Sequence, residues 1–350
     1  MIVLVVGTIA QRELGLYVAQ NRYFSSFYFW VGSVPFPGGY PMMGLIFVGV
    51  VARLLAPAVW VRQKLGVNVV HLGAALMLAG GFFTATFSFE GNMVIGEGES
   101  ADYISDYHAT ELAFIDTRAA DRDQVTAFAR GWLQPGEKIA HAAVPFHIEI
   151  LKYFRNSTAR PRSALPPEDA RGFAKNFELT EAPVEVEDER NRAGILFRVS
   201  QADPGVNGIY TLLERMPVPQ TLKAEGGDFI VELRRLRTPL PFRLELTKFA
   251  KKLHPGTEIP EAFRSDIILH DGELRQPVRV QMNEPLRYKG YTFYQASFIE
   301  NGSQNTTVLA VVHNIGRVFP YLSGIVMCIG LLIHLVMQLP RLFRNEGATR

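Results

Sequence analysis

At 350 residues the chain exceeds an ordinary single domain, and its composition, 48% hydrophobic against 20% charged, is unevenly spread. Only ten of its seventy charged side chains fall in residues 1–89 and 318–350, which excludes a simple cytosolic enzyme. A net charge of +2 gives bulk electrostatics no part in nucleic-acid binding, and the lone Cys328 excludes an internal disulfide, a CxxC redox pair and a cysteine-based zinc site.

In chain order, the opening MIVLVVGTIA is apolar for ten residues. That is about 15 Å of helix, too short to cross a bilayer. It lacks the basic start and cleavage site of a secretory signal and reads as the remnant or end of a further span. The aromatic cluster YFSSFYFW, Tyr23 to Trp30, suits an interfacial belt or a short amphipathic segment. A candidate span follows over about residues 40–61, with Arg53 inside it and Pro57 near its end. Val67–Phe89 and Val318–Pro340 are each 23 residues without a charge. At about 1.5 Å per residue each reaches roughly 34 Å, enough to span a bilayer with some tilt. Arg62 and Lys64 beside one span, and Arg341, Arg344 and Arg350 after the other, put those ends in the cytoplasm by the positive-inside rule.

Residues 90–317 are then extracytoplasmic. Their short apolar and β-branched runs, such as Gly194–Val199, Phe229–Leu233, Val278–Met282 and Tyr291–Ser297, alternate with Gly, Pro and Asn turns and predict strands. A helix is expected only near Asp121 to Trp132. PFHIEILKY at Pro145–Tyr153 echoes PFRLELTKF at Pro241–Phe249, which suggests two related β-rich halves or a chance match. The expected fold is therefore a membrane protein. An α-helical transmembrane bundle of three to four spans, a partial one at 1–10 and others at about 40–61, 67–89 and 318–340, carries a large β-rich, sandwich-like extracytoplasmic domain at 90–317. Residues 341–350 form a cytoplasmic tail.

The domain holds His108, His141, His147, His254 and His270. His141 and His147 are the one close pair and suit a metal only on a strand, so solvated or hydrogen-bonded structural histidines are the expected reading. The charge runs Glu185–Arg192 and Arg234–Arg237 are expected to be solvated surface. His313 and Asn314, before the last span, are expected at the outer interface.

The polar residues inside the spans carry more information, because a bilayer excludes them unless they have a task. His71 lies seven residues after Lys64 and His334 seven before Arg341, so each sits about 10 Å inside the cytoplasmic boundary. Two imidazoles at one depth on different helices could share a haem iron. Alternatively each bonds a neighbouring helix or reaches toward the headgroups. Gly73, Ala74, Gly80 and Gly81 after His71 leave room for a close helix or a planar ligand. Arg53, at comparable depth, could neutralise a haem propionate or snorkel.

Several stretches together resemble the ResB (CcsB) family of cytochrome c biogenesis proteins, of the system II route. They are VVGTIAQ at Val5–Gln11, VVHLGAALMLAGGFF at Val69–Phe83 with the exit FEGNMVIGEGE, and LPFRLELTKF at Leu240–Phe249, followed by FRSDIILHDG at Phe263–Gly272, MNEPLRYKGYTFYQASF at Met282–Phe298 and the final helix. The resemblance implies a four-helix protein of the bacterial cytoplasmic membrane, with its large domain outside. It also implies a tryptophan-rich membrane partner of the ResC (CcsA) type, and a shared task of moving haem outward and attaching it to apocytochrome c. His71 maps onto the third-helix histidine that serves as an axial ligand to haem b, and the opposing ligand then falls to the partner. A separate thioredoxin-like thiol reductase would reduce the apocytochrome, in keeping with the lone Cys328. No acid, base or nucleophile set is evident, so the chain reads as a subunit of a haem-lyase complex that positions its cargo. The alternatives are a membrane-anchored b-type cytochrome that uses His71 and His334 together, and an anchored extracytoplasmic binding module.

Overall fold

The structure, a computed structural model, describes residues 2–57, 60–118, 123–224, 227–258, 260–301 and 304–346. It comprises two compact units: a helical one, residues 1–90 with 286–293 and 312–350, and a β-rich one, residues 91–285 with 294–311.

The helical unit begins with α1 (Ile2–Ala19), which opens into a wider π-type turn at Gln20–Phe24. Arg12 and Glu13 do not end it, because isolated charges are compatible with helical backbone, and the apolar run resumes at Leu14. Ile2–Phe24 is thus 23 residues of spanning length, not the ten-residue remnant expected. The path is bent at Gly15, whose φ of 78° only glycine adopts at little cost. The aromatic cluster forms part of a hairpin of β1 (Tyr28–Val31) and β2 (Val34–Pro37), anchored on the ring pair Tyr23 and Phe29, 4.9 Å apart.

Then come α2 (Gly39–Leu55), α3 (Leu65–Phe87) and, after the β-rich unit, α4 (Phe319–Glu346). Residues 62–87 and 315–339 are also long and apolar enough to cross a membrane, which makes three such stretches among the described residues. The segment expected at 40–61 falls short, since α2 has 17 residues and stops at Leu55. Ala56 is extended (φ −72°, ψ 116°) because the proline ring of Pro57 disfavours helical backbone in the residue before it. The last helix overruns its expected end and continues to Glu346. Arg350 lies outside the described residues.

The β-rich region contains β3 (Phe89–Gly96), β4 (Ser100–Asp116), β5 (Gln124–Ala129), β6 (Lys138–His141), β7 (Val144–Phe154), β8 (Ser157–Pro161), β9 (Phe177–Glu181), β10 (Gly194–Ser200) and β11 (Gly208–Leu213). It continues with β12 (Gln220–Ala224), β13 (Gly227–Leu253), β14 (Pro260–Asp271), β15 (Leu274–Gln281), β16 (Leu286–Tyr288), β17 (Tyr291–Asn301) and β18 (Gln304–His313). The larger sheet runs β15-β14-β13-β4-β3-β18-β17, with β12 on β13 and β5 on β4. A second sheet runs β11-β10-β7-β6, and β8 pairs β9. Alternation places Leu112, Phe114, Val231 and Leu233 of the larger sheet and Ile148, Ile150, Ile195 and Phe197 of the smaller one in a single buried cluster.

The helix expected at 121–132 is instead strand β5 followed by a short turn, with residues 121–122 outside the described set. Pairing of β5 along β4, Phe128 opposite Leu112, overrides its local preference. The two echo segments share one alternating burial pattern from Pro145 and Pro241 onward, yet they have different neighbours: β10 and β6 flank the first, β14 and β4 the second.

Candidate functional site

The helical unit is organised by a seam of small residues. Gly66, Gly73 and Gly80 recur every seven residues, so they stay on one face of α3, and that face meets α4. A Cβ on Gly66 would lie 2.5 Å from the backbone nitrogen of His334, one on Gly73 would overlap Met327, and one on Gly80 would overlap Phe319. From the other side, a Cβ on Gly330 would lie 2.7 Å from the Val70 nitrogen. Two of the four small residues expected to leave room beside His71 are therefore filled by α4, whereas Gly81 has nothing within 4 Å.

His71 leaves α3 on another side. Five residues on from Gly66, at about 100° per residue, its side chain stands about 140° around the helix from the seam. It is half-buried, and its Nδ1 lies 2.7 Å from the Val67 carbonyl oxygen one turn back. A carbonyl only accepts, so Nδ1 carries the proton and donates, and Nε2 keeps its lone pair for a metal or a donor. Backbone carbonyls commonly fix the ring of a metal-binding histidine in this way. One turn further along the same side stands Ala75, which is buried.

His334 is half-buried on α4 with its backbone against Gly66, about 7.5 Å along α3 from His71 and on the seam side. The packing thus starts the two imidazoles on different sides of α3 and does not present them as a facing pair. Arg53 is exposed in the last turn of α2. His313 is half-buried rather than at the surface, with its ring 5.8 Å from Phe89 and 4.8 Å from Tyr291, while Asn314 accepts a hydrogen bond from Thr84 at 3.1 Å.

In the β-rich unit His108, His141 and His270 make structural contacts, while His147 and His254 are exposed. His270 donates to Glu245 at 2.7 Å, and His141 packs edge-on to Phe128. Among the described residues no three His, Cys, Asp or Glu side chains gather as a metal site. His108 donates through Nδ1 to Asp188 at 2.7 Å, and Arg155 pairs with the other oxygen of that carboxylate. Burial works to raise the Asp188 pKa, but the hydrogen bonds and charges of His108 and Arg155 outweigh it and hold the carboxyl well below its usual range.

The charge run at Arg234–Arg237 departs from its expected solvated role. Arg234 donates to the buried Glu111 at 2.8 Å, and Arg235 to the buried Glu214 at 2.8 Å. A signal for this was present, because Glu111 in TELAF and Glu214 in TLLER interrupt apolar runs where an ionised carboxylate needs a partner.

Apolar helices of spanning length, one of them holding an imidazole with an open ring nitrogen, together with a two-sheet β-rich unit, define a class of protein in which a helical unit accompanies a large β domain. Residues 205–308 match the model of the ResB-like family. A stretch of 100 residues is 32% identical to Protein NrfI of Wolinella succinogenes; it covers 28% of this chain and 11% of the length of NrfI. The chain thus carries a ResB-like region from β11 into β18, and the resemblance read from its motifs holds there, including MNEPLRYKGYTFYQASF at Met282–Phe298. His71 and the helical unit's first three helices lie outside the matched residues.

Proposed function

We propose that this chain is a membrane subunit of a cytochrome c assembly complex, in which it takes part in carrying haem across the membrane and attaching it to apocytochrome c. The observation that carries the reading is His71. Its Nδ1 proton is held by the Val67 carbonyl at 2.7 Å, and its Nε2 is turned away from the α3–α4 seam on an apolar helix. The ResB-like match supports the same process from the β-rich side. The exposed apolar faces of the helices, Leu45, Val48, Phe82 and Leu332 among them, support insertion in lipid.

Haem is the cargo, and its iron accepts an imidazole lone pair. His71 would supply that lone pair as one axial ligand, and the Val67 carbonyl would keep the ring from turning. The open face at Gly81 would leave the macrocycle room. His334 starts on a different side of α3, and the resemblance assigns the second ligand to a tryptophan-rich membrane partner of the ResC type. Arg53, exposed at the end of α2, would meet an anionic propionate. Orientation of the β-rich unit outside the cytoplasm places it where apocytochrome c and a thioredoxin-like reductase act.

The test is co-purification with the partner, with haem b quantified by pyridine haemochrome and c-type cytochrome maturation scored in the same strain. His71→Ala is expected to lower both, and added imidazole to restore part of each. Unchanged haem and maturation in His71→Ala reject the assignment. Haem held by the isolated chain, and lost on changing either His71 or His334, would instead mark an electron-transfer cytochrome.

A further inference from the structure

The β-rich unit contains a cleft of about 600 Å³, within the roughly 300–1,000 Å³ range of small-molecule sites. Its apolar walls include Val94, Met216, Ile299 and Val308; Val94 and Ile299 remain 46% and 44% exposed, which is a large apolar area to leave in water. Its polar side is built from β13. Arg234, Arg235 and Arg237 all contribute to its lining.

The ladder is irregular beside Arg237. Arg235 pairs with Thr110 and Arg237 with Ser105, so four residues of β4, Asp106–Ala109, stand against Leu236 alone. The Asp106 carboxylate accepts from the His108 and Ala109 backbone nitrogens, both at 2.7 Å, and fixes that bulge. Bulges re-aim side chains, and this one falls between Arg235 and Arg237, so Arg237 does not keep the alternation that Arg235 begins.

Two of the three are neutralised. Arg234 pairs with Glu111 at 2.8 Å and with Glu232 at 3.3 Å, and Arg235 pairs with Glu214 at 2.8 Å. Arg237 is half-buried and pairs with no carboxylate among the described residues; its guanidinium lies 4.2 Å from the centre of the Tyr103 ring. Burial first, then the charge of Arg234, lowers its pKa from the ordinary arginine value, yet arginine remains a cation at any physiological pH. Glu232 and Glu111 act on it only at a distance, and a desolvated cation that no carboxylate bonds, beside an open apolar wall, is costly unless an anion comes to it.

We propose that this cleft binds an amphipathic carboxylate, with its acid group on Arg237 and its apolar body along Val94, Met216, Ile299 and Val308. The planar guanidinium suits a carboxylate bidentately, and the Tyr103 ring holds its other face. Either a porphyrin propionate or a fatty acyl chain has this chemistry. The site stands apart from His71 and needs no iron.

The test uses the full chain in nanodiscs of zwitterionic lipid, in a His71→Ala background so that iron ligation cannot contribute. Metal-free protoporphyrin IX and palmitate are titrated separately, each against its methyl ester, with hydrogen-exchange protection of residues 231–237 and 294–299 as the readout. One or both acids are expected to protect these strands, and the esters are not. Protection by protoporphyrin alone marks a tetrapyrrole site, and by palmitate alone an acyl-chain site; either supports the proposal. Arg237→Gln is expected to weaken protection at least tenfold, and Arg237→Lys to keep part of it. Ile299→Asp, a change on an exposed wall that leaves the core intact, is expected to abolish it. The proposal is overturned if neither acid protects the cleft, if an ester protects as well as its acid, or if Arg237→Gln binds like the parent.

Discussion

Replacing Gly73 by alanine tests the α3–α4 seam, with Gly81→Ala as its internal reference. At Gly73 the added methyl would overlap Met327 Cγ and lie 2.9 Å from the Ser323 carbonyl oxygen and 3.0 Å from the Met327 nitrogen. Carbon atoms reach their attractive minimum at about 3.5–4.0 Å, so α4 must retreat by roughly 0.5–1 Å at this level. A gap of that size removes about a quarter to a half of the dispersion energy of the atoms on either side, and overpacking of this kind costs about 1–3 kcal/mol. Glycine to alanine also gains about 1 kcal/mol of helix propensity, and that gain is common to both variants. At Gly81 nothing lies within 4 Å, so only the gain remains. Gly73→Ala should therefore be less stable than Gly81→Ala by about 1–3 kcal/mol, measured as helical ellipticity against temperature in matched detergent. Equal midpoints for the two variants, or a lower one for Gly81→Ala, would refute the packing assigned to α3.

Two further predictions concern the β-rich unit. The Asp188 carboxyl has its pKa lowered in the folded state, so its contribution to stability is fully present above the ordinary carboxylate pKa of about 3.9 and is lost as pH falls below it toward the folded value. Asp188→Asn should accordingly lower the unfolding free energy at pH 7 by about 3 kcal/mol, with the gap to the parent closing below about pH 4; a gap independent of pH would contradict the pairing with His108 and Arg155. Glu111→Leu leaves Arg234 beside a buried apolar group and should cost about 3–5 kcal/mol, while adding Arg234→Met should recover most of that loss. A denaturant titration of the single and double variants measures the coupling, and strictly additive effects would argue against a direct ion pair.

The helices that sequence alone located well are those defined by uninterrupted apolar runs. Val67–Phe89 and Val318–Pro340 correspond closely to α3 and α4, because about 20 residues without a charge leave little alternative. Boundaries set by single residues were harder to read. Arg12 and Glu13 break the apolar pattern without ending α1, whereas the single ring of Pro57 ends α2. The strand runs at Gly194–Val199, Phe229–Leu233, Val278–Met282 and Tyr291–Ser297 are legible from their apolar and β-branched residues, whereas β5 is not, because its conformation depends on β4.

For the candidate site, His71 stood out as a polar residue in an apolar run, but its relation to His334 depended on helix azimuth, and counting residues from Lys64 and Arg341 yields depth alone. The ion pairs of Arg234 and Arg235 join residues 123 and 21 apart in the chain, and only the register of β13 against β4 brings the first of these together. Arg237 shares a short basic run with both, and the bulge at Asp106–Ala109, invisible in composition, separates its register from theirs.

The larger sheet also sets a timetable for biosynthesis. Its middle is closed late: β4 waits for β13, with Asp116 opposite Phe229, and β3 waits for β18, the last strand to emerge. Contacts that distant in the chain make for slow folding, because the loop entropy is lost before the ladder can repay it. Until residues 304–313 are made, β3 presents a naked edge open to annealing with other nascent chains. A ribosome stalled before that point would therefore release an aggregation-prone product, not a smaller working domain.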